Sequence, residues 1–335
     1  MQGCALIKTE WQNRLTARLC SLRQAITLRA LAPLTSMGMR RQTEGFGILT
    51  YHRVTPEFPA AGRPTWNVTP ERFRQQLEGL LRRNYRPWPL RKVLEYHHQG
   101  KAIPRETFVL TFDDGYESVY RYAWPILKEL EVPATLLLAT AYLDSSRPFP
   151  FDDWPARGSA GVPAVAWRPL STQQCDELLA DGLIDLGTHT HTHTDFRGRP
   201  DLLCEDLCIS LELLRRRFGL TNVAFSFPYG RKGGGFAGPE LAAAAQRAGT
   251  CCALTTENEL VTPACLPFDW GRFTVHRADT AATIAVQLQG YYTRVRNCWR
   301  WLRHPGRARE TVLAPAIAHR PEMVHAPEVA AQRSS

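Results

Sequence analysis

Two hydrophobic periods alternate along the chain. Short apolar, β-rich runs at 46–52 (FGILTYH), 107–112 (TFVLTF), 134–139 (ATLLLA), 183–188 (LIDLGT), 222–227 (NVAFSF), 251–255 (CCALT) and 272–276 (RFTVH) predict seven strands. Helical stretches separate them at 70–83, about 117–130, 171–181, 202–218 and 238–248. At the first of these, Thr69 can cap the helix and Pro70 takes the first helical position, where its missing N–H costs nothing. Apolar strands alternating with helices predict an α/β fold with a parallel sheet covered by helices, either doubly wound or closed as a barrel. In both arrangements the working groups belong at the C-terminal ends of the strands.

Other segments break this rhythm. In 1–45, Leu6, Leu15, Leu19, Leu22 and Ile26 recur at helical steps with Arg14, Arg18 and Arg23 between them, which predicts a basic amphipathic helical extension. Residues 143–170 are too long for an ordinary connection and carry Phe149, Phe151, Trp154 and Trp167. The pattern assigns 46–292 to the main domain, 293–310 to a basic aromatic helix and 311–335 to a disordered, Ala/Pro-rich tail.

Composition narrows the class. With 44% hydrophobic and 22% charged residues among 335, the chain is globular. The net charge of +9 divides into +5 over 1–44, +5 over 294–335 and −1 between them. A nucleic-acid binder carries its basic patch on the folded body, so no nucleic-acid partner is expected. No apolar run reaches the roughly 18 residues of a membrane span, and no signal-like h-region is visible. Nine cysteines without a C-x-x-C suggest neither a disulfide framework nor a zinc knuckle, so a cytoplasmic location is expected. Tyr291, Tyr292, Trp299 and Trp301 interleave with four arginines over 291–304. That composition suits an anionic headgroup layer, and peripheral contact with the inner face of a membrane is a further expectation. Oligomeric state has no signal.

The candidate chemistry lies at strand ends. Thr111-Phe112-Asp113-Asp114-Gly115 closes one strand with adjacent carboxylates, whose mutual repulsion calls for a cation or a shared proton. Thr188-His189-Thr190-His191-Thr192-His193 places three imidazoles within five residues at another. Imidazoles four apart can face one ion from a helical turn, and alternate ones share a face of a strand. An Asp and two His would leave coordination positions open for water and substrate, which points to hydrolysis rather than a structural metal. Phe225-Ser226-Phe227-Pro228-Tyr229-Gly230 forms a bend able to aim a backbone N–H at a developing oxyanion. Tyr51-His52-Arg53 puts an imidazole on the same rim, where it could protonate a leaving group.

Together TFDDG, H-T-x-x-H and F-x-F-P-Y-G resemble the polysaccharide deacetylases of carbohydrate esterase family 4, the NodB-homology domain, over about residues 46–292. The opening Y-H-R-V and the ending RFTVHR…LQGYY resemble the exopolysaccharide-biosynthesis branch. The resemblance implies a distorted (β/α) barrel of about seven parallel strands and removal of N-acetyl groups from a glycan. It implies Asp113 as catalytic base, and Asp114, His189 and His193 as ligands of a divalent metal, usually zinc. Tyr229 would offer its N–H to the oxyanion, Pro228 would shape that turn, and His191 falls at a variable position. Trp154 and Trp167 would contact substrate, since flat sugar faces stack on aromatic rings. Two departures stand out: Ser226 replaces the arginine that orients the base, and 284–292 (IAVQLQGYY) lacks the L-x-H that supplies the acid. By resemblance to rearranged members the acid is assigned to His52, with His276 as the second choice. Hydrolysis of a cyclic imide or ureide on the same barrel and a non-catalytic glycan-binding module are the competing readings.

Overall fold

The computed structural model describes residues 45–58, 66–152 and 161–291. The expected N-terminal extension, Trp154, the 293–310 helix and the tail lie outside the described residues. The strands are β1 (Gly47–Tyr51), β2 (Arg53–Val54), β3 (Asn67–Val68), β4 (Arg86–Pro87), β5 (Thr107–Phe112), β6 (Ala134–Leu138), β7 (Ile184–Thr188), β8 (Ala224–Ser226), β9 (Cys252–Leu254) and β10 (Phe273–Thr274). The helices are α1 (Pro70–Leu81), α2 (Leu90–His98), α3 (Trp124–Leu130), α4 (Thr172–Ala180), α5 (Pro200–Phe218), α6 (Pro239–Ala248) and α7 (Ala281–Leu288).

All seven expected strands belong to one parallel sheet in the order β10-β1-β5-β6-β7-β8-β9, with β4 paired to β5 beside this path. The stretch after residue 269 joins the two ends of that order. Trp270 exchanges backbone hydrogen bonds with the β9 edge, its N–H to Ala253 C=O at 3.2 Å and its C=O from Thr255 N–H at 2.8 Å. Three residues later the same stretch pairs with β1, Leu49 opposite Phe273.

Helix boundaries follow local chemistry. Thr69 Oγ1 accepts the Arg72 N–H at the start of α1, and Ser171 with Gln174 forms a reciprocal capping box on α4. The expected helix at 117–130 opens instead with a π-helical turn over Val119–Ala123, and Trp124-Pro125 then begins the regular part. Among the described residues no helix is long and apolar enough to cross a membrane.

The strands are buried on both faces, as a helix-covered parallel sheet requires. Leu49, Leu110, Leu136 and Leu186 belong to the large cluster shared with α1, α4 and α7. Their sequence neighbours Ile48, Val109 and Leu137 belong to a second cluster with Ala224, Cys252, Leu254 and Trp270. Period-two alternation thus separates an outer from an inner face.

Candidate active site

Positions 48, 50 and 52 share the inner face with 109, 111 and 113, with 187 and 189, and with 270 and 272. Near the strand starts these positions are apolar; further along come the buried hydroxyls of Thr50 and Thr111. At the C-terminal ends come Asp113, His189 and Ser226, reached by the side chain of Arg272 from the residue before β10; all four are 2% exposed or less, and His52 lies on the same rim. Gly187 lets β7 pack closely on β8: a Cβ there would sit 2.6 Å from the Ala224 carbonyl oxygen.

Asp114 leaves the strand line with φ 73, and from there one of its oxygens faces two imidazoles. His189 Nε2 lies 3.6 Å and His193 Nε2 3.5 Å from Asp114 Oδ1. One donor atom from each of the three lies within 4.8 Å of the others. His189 Nδ1 is 2.8 Å from the Ser226 carbonyl oxygen. A proton on that nitrogen donates to the carbonyl and turns the Nε2 lone pair toward Asp114. Asp206 on α5 shapes the loop to His193 by accepting the Thr192 N–H at 3.2 Å, and the His193 N–H donates to Thr190 Oγ1 at 2.9 Å. The Phe151 ring lies parallel to the His193 imidazole with centroids 3.7 Å apart. Of the three imidazoles in the run, the two four residues apart converge; His191 turns instead to Thr140 Oγ1, 3.0 Å from its Nδ1. Asp114, Thr190, His193 and Tyr229 all hold positive φ, a costly conformation for residues with a Cβ that gathers at working sites.

The two neighbouring carboxylates have opposite surroundings. Asp113 accepts two bonds from Arg272, from Nη1 at 2.6 Å and Nη2 at 2.8 Å. Arg272 is fully buried and spends its other donors on Thr50 Oγ1 at 3.1 Å, Thr111 Oγ1 at 3.2 Å and the Thr255 carbonyl at 3.1 Å. Burial pushes the Asp113 carboxyl upward, but the Arg272 guanidinium and His189 outweigh it and hold the group well below the usual carboxylate range. Asp114 is raised well above that range, by burial first and the Asp113 charge second. Burial also lowers His189 and His193, which keeps them in the neutral form that ligates a metal. One carboxylate is thus neutralised by an arginine, while the other sits with two neutral imidazoles in a donor set of one oxygen and two nitrogens. That set suits a divalent cation of zinc type with open positions.

Sequence reasoning passed over Arg272. The place the resemblance assigns to an orienting arginine holds Ser226, whose Oγ is 3.3 Å from Asp113 Oδ1 and 2.6 Å from His189 Nδ1. The guanidinium arrives instead from the closing strand. The available signal was an arginine opening an otherwise apolar run, RFTVH, in a position whose alternation faces inward.

His52 follows β1, and burial lowers its imidazole to about 3 against the opposing pull of Asp113. His276, the second candidate acid, is likewise lowered by burial, with Asp279 opposing. Pro228, Tyr229 and Gly230 make a tight turn in which the Gly230 N–H reaches the Pro228 carbonyl at 2.7 Å. A Cβ on Gly230, at φ 58, would lie 2.9 Å from the Thr256 backbone nitrogen, so the turn requires glycine. The Tyr229 ring is 5.3 Å from that of His193 and half exposed. Trp167 packs with Phe58, Val162 and Ala166 in a separate small cluster. Phe149 is buried against Tyr116 and Tyr142, so the described aromatics of the long loop include a wall leading to His193.

Residues 100–249 match the model of a family described as polysaccharide deacetylase. The chain is 31% identical over 146 residues to the poly-beta-1,6-N-acetyl-D-glucosamine N-deacetylase of Escherichia coli (strain K12), a match covering 44% of this chain and 20% of that protein. To the protein of the same name from Staphylococcus epidermidis it is 25% identical over 201 residues, covering 54% of this chain and 64% of that protein. The chain therefore spans less than two thirds of either relative. Among solved structures it resembles IcaB from Ammonifex degensii, with a TM-score of 0.61, 25% identity, and coverage of 75% of this chain and all of that one. Streptococcus pyogenes deacetylase PplD in complex with acetate shares the fold at a TM-score of 0.60 and 20% identity, covering 74% of this chain and 99% of that one.

Proposed function

We propose, from the premise that residues 100–249 are a polysaccharide deacetylase domain, that this chain hydrolyses N-acetyl groups from the amino sugars of a polysaccharide and releases acetate. The observation that carries this reading is the convergence of Asp114, His189 and His193 beside an Asp113 held ionised by Arg272. The relatives' names favour a polymer of N-acetylglucosamine as the substrate.

A divalent cation, zinc first by its donor set, would be held by Asp114 Oδ1, His189 Nε2 and His193 Nε2 and would supply Lewis acidity to water and carbonyl. Asp113 accepts the proton that water loses as its oxygen bonds to the acetamide carbon. Bidentate support from Arg272 keeps that carboxylate charged and aimed. The Tyr229 N–H donates to the carbonyl oxygen as charge collects there, in a turn that Gly230 and Thr256 keep from reorganising. Breaking the C–N bond leaves acetate and an amine, and His52 delivers the amine's proton. Because burial holds His52 neutral, it must first take up a proton, and the Asp113 charge is the neighbour that favours this.

The test is acetate release from N-acetylated glucosamine oligomers with and without chelator. Acetate should appear, stop on chelation and return with added divalent cation. Turnover of a small cyclic imide with no acetate from any oligomer would overturn the reading.

A further inference from the structure

Among the described residues, Trp66 is one of two large aromatic side chains beside the cluster that stay about half exposed; Tyr229 is the other. They flank it on different sides. Tyr229 touches His193, whereas Trp66 lies parallel to the His52 imidazole at 5.3 Å and 19°, and also meets His276 at 5.4 Å. The register of β1 with β10 makes residues 52 and 276 neighbours, so the indole lies across both rings. An indole enclosed on both faces would not keep 47% of its residue surface open, and Trp66 does.

Its backbone is also set deliberately. Trp66 holds φ 59, which bulky residues adopt at a cost. The conformation is fixed by the β2–β3 ladder that starts there: the Arg53 N–H donates to the Trp66 carbonyl, and Arg53 and Val54 pair with Asn67 and Val68. Strain and solvent exposure of an indole are both unfavourable for the free protein, and neither is needed to cover two imidazoles that a smaller buried side chain could cover.

We infer that Trp66 is a glycan platform, stacking on the pyranose ring next to the one whose acetamide reaches Asp113. This rests on the deacetylase reading and extends it: the site takes oligomers in preference to single sugars. An apolar pyranose face fits a flat indole, and Trp66 meets the site at the His52 and His276 rings. Tyr229 is placed to meet the chain on the other side.

The experiment compares wild type, Trp66→Ala and Trp66→Phe as metal-loaded full-length protein. Acetate release gives kcat and KM on N-acetylglucosamine oligomers of one to five units, and calorimetry gives the affinity for the glucosamine pentamer, which is not turned over. Trp66→Ala should raise the pentamer KM and weaken the pentamer Kd by roughly tenfold or more, with the loss growing with chain length, and Trp66→Phe should keep most of both. A loss equal at every length, or confined to kcat, would overturn the inference and leave Trp66 as a cover for the two histidines. If wild type released no acetate from any oligomer, the deacetylase reading would fall by itself, while the calorimetric comparison would still decide whether Trp66 binds glycan.

Discussion

Arg272→Met tests whether the Asp113 carboxylate is held ionised by a single buried cation. The substitution removes both bonds to Asp113, at 2.6 and 2.8 Å, from a pair whose side chains are 0% and 2% exposed. A buried charge left without its partner costs about 3–5 kcal/mol. The freed Thr255 carbonyl adds about 1 kcal/mol, whereas Thr50 and Thr111 only lose a donor they can replace. Urea unfolding at pH 7 should therefore show a loss of about 4–6 kcal/mol. The sign with pH follows from the depressed carboxyl. In wild type the Asp113 contribution is complete above the unfolded value of about 3.9 and disappears as pH falls through the lower folded value. In the variant burial, the largest influence, is opposed only by His189 and His52 and raises the group, so its penalty grows as pH rises from about 3.9. The difference between the two proteins should thus be largest near neutrality and shrink below about pH 4. Adding Asp113→Asn to Arg272→Met should recover about 2 kcal/mol or more, since no unpaired charge then remains. A loss below about 1 kcal/mol at pH 7, or one that does not shrink in acid, would refute the reasoning.

His189→Ala and Asp114→Ala should stay folded, lose bound metal by elemental analysis and lose turnover, because a catalytic metal adds less to folding than a structural one. Asp113→Asn should keep its metal while acetate release falls by about 10²–10⁴-fold; loss of metal would make Asp113 a ligand and reverse the two carboxylates' roles. His52→Ala should cut kcat by a similar factor of about 10²–10⁴, with metal content unchanged and His276→Ala much milder; the reverse order would move the acid to the closing strand. The metal-free protein should lose stability as pH falls below about 6.5, since buried His52, His189 and His193 have folded values below their unfolded ones and unfolding then takes up protons, readable by thermal unfolding in chelator.

The strands were legible because each is a short apolar run buried on both faces, and the site was legible because its side chains sit where those runs stop. What escaped sequence reading has physical causes. α7 (AATIAVQL) is buried on nearly every side, so it shows no helical period. α2 follows Pro89 with no side-chain cap to mark its start. β4 is two residues long. Arg272 and Trp66 were passed over for another reason: the one acts across 159 residues, and the other depends on a left-handed backbone that the β2–β3 pairing imposes. The difference between Asp113 and Asp114 likewise comes from partners remote in sequence, as their residue type is the same.

The position of Arg272 in the closing stretch has a consequence for timing. During synthesis Asp113, Asp114, His189 and His193 all emerge before Arg272, and β1 waits more than two hundred residues for its β10 neighbour. Until that stretch docks, Asp113 has no guanidinium to pair with. Closing the last contact of high sequence separation, the slowest kind to form, is then the same event that gives Asp113 its partner. The Asp113–Arg272 pair is thus complete only when the sheet is.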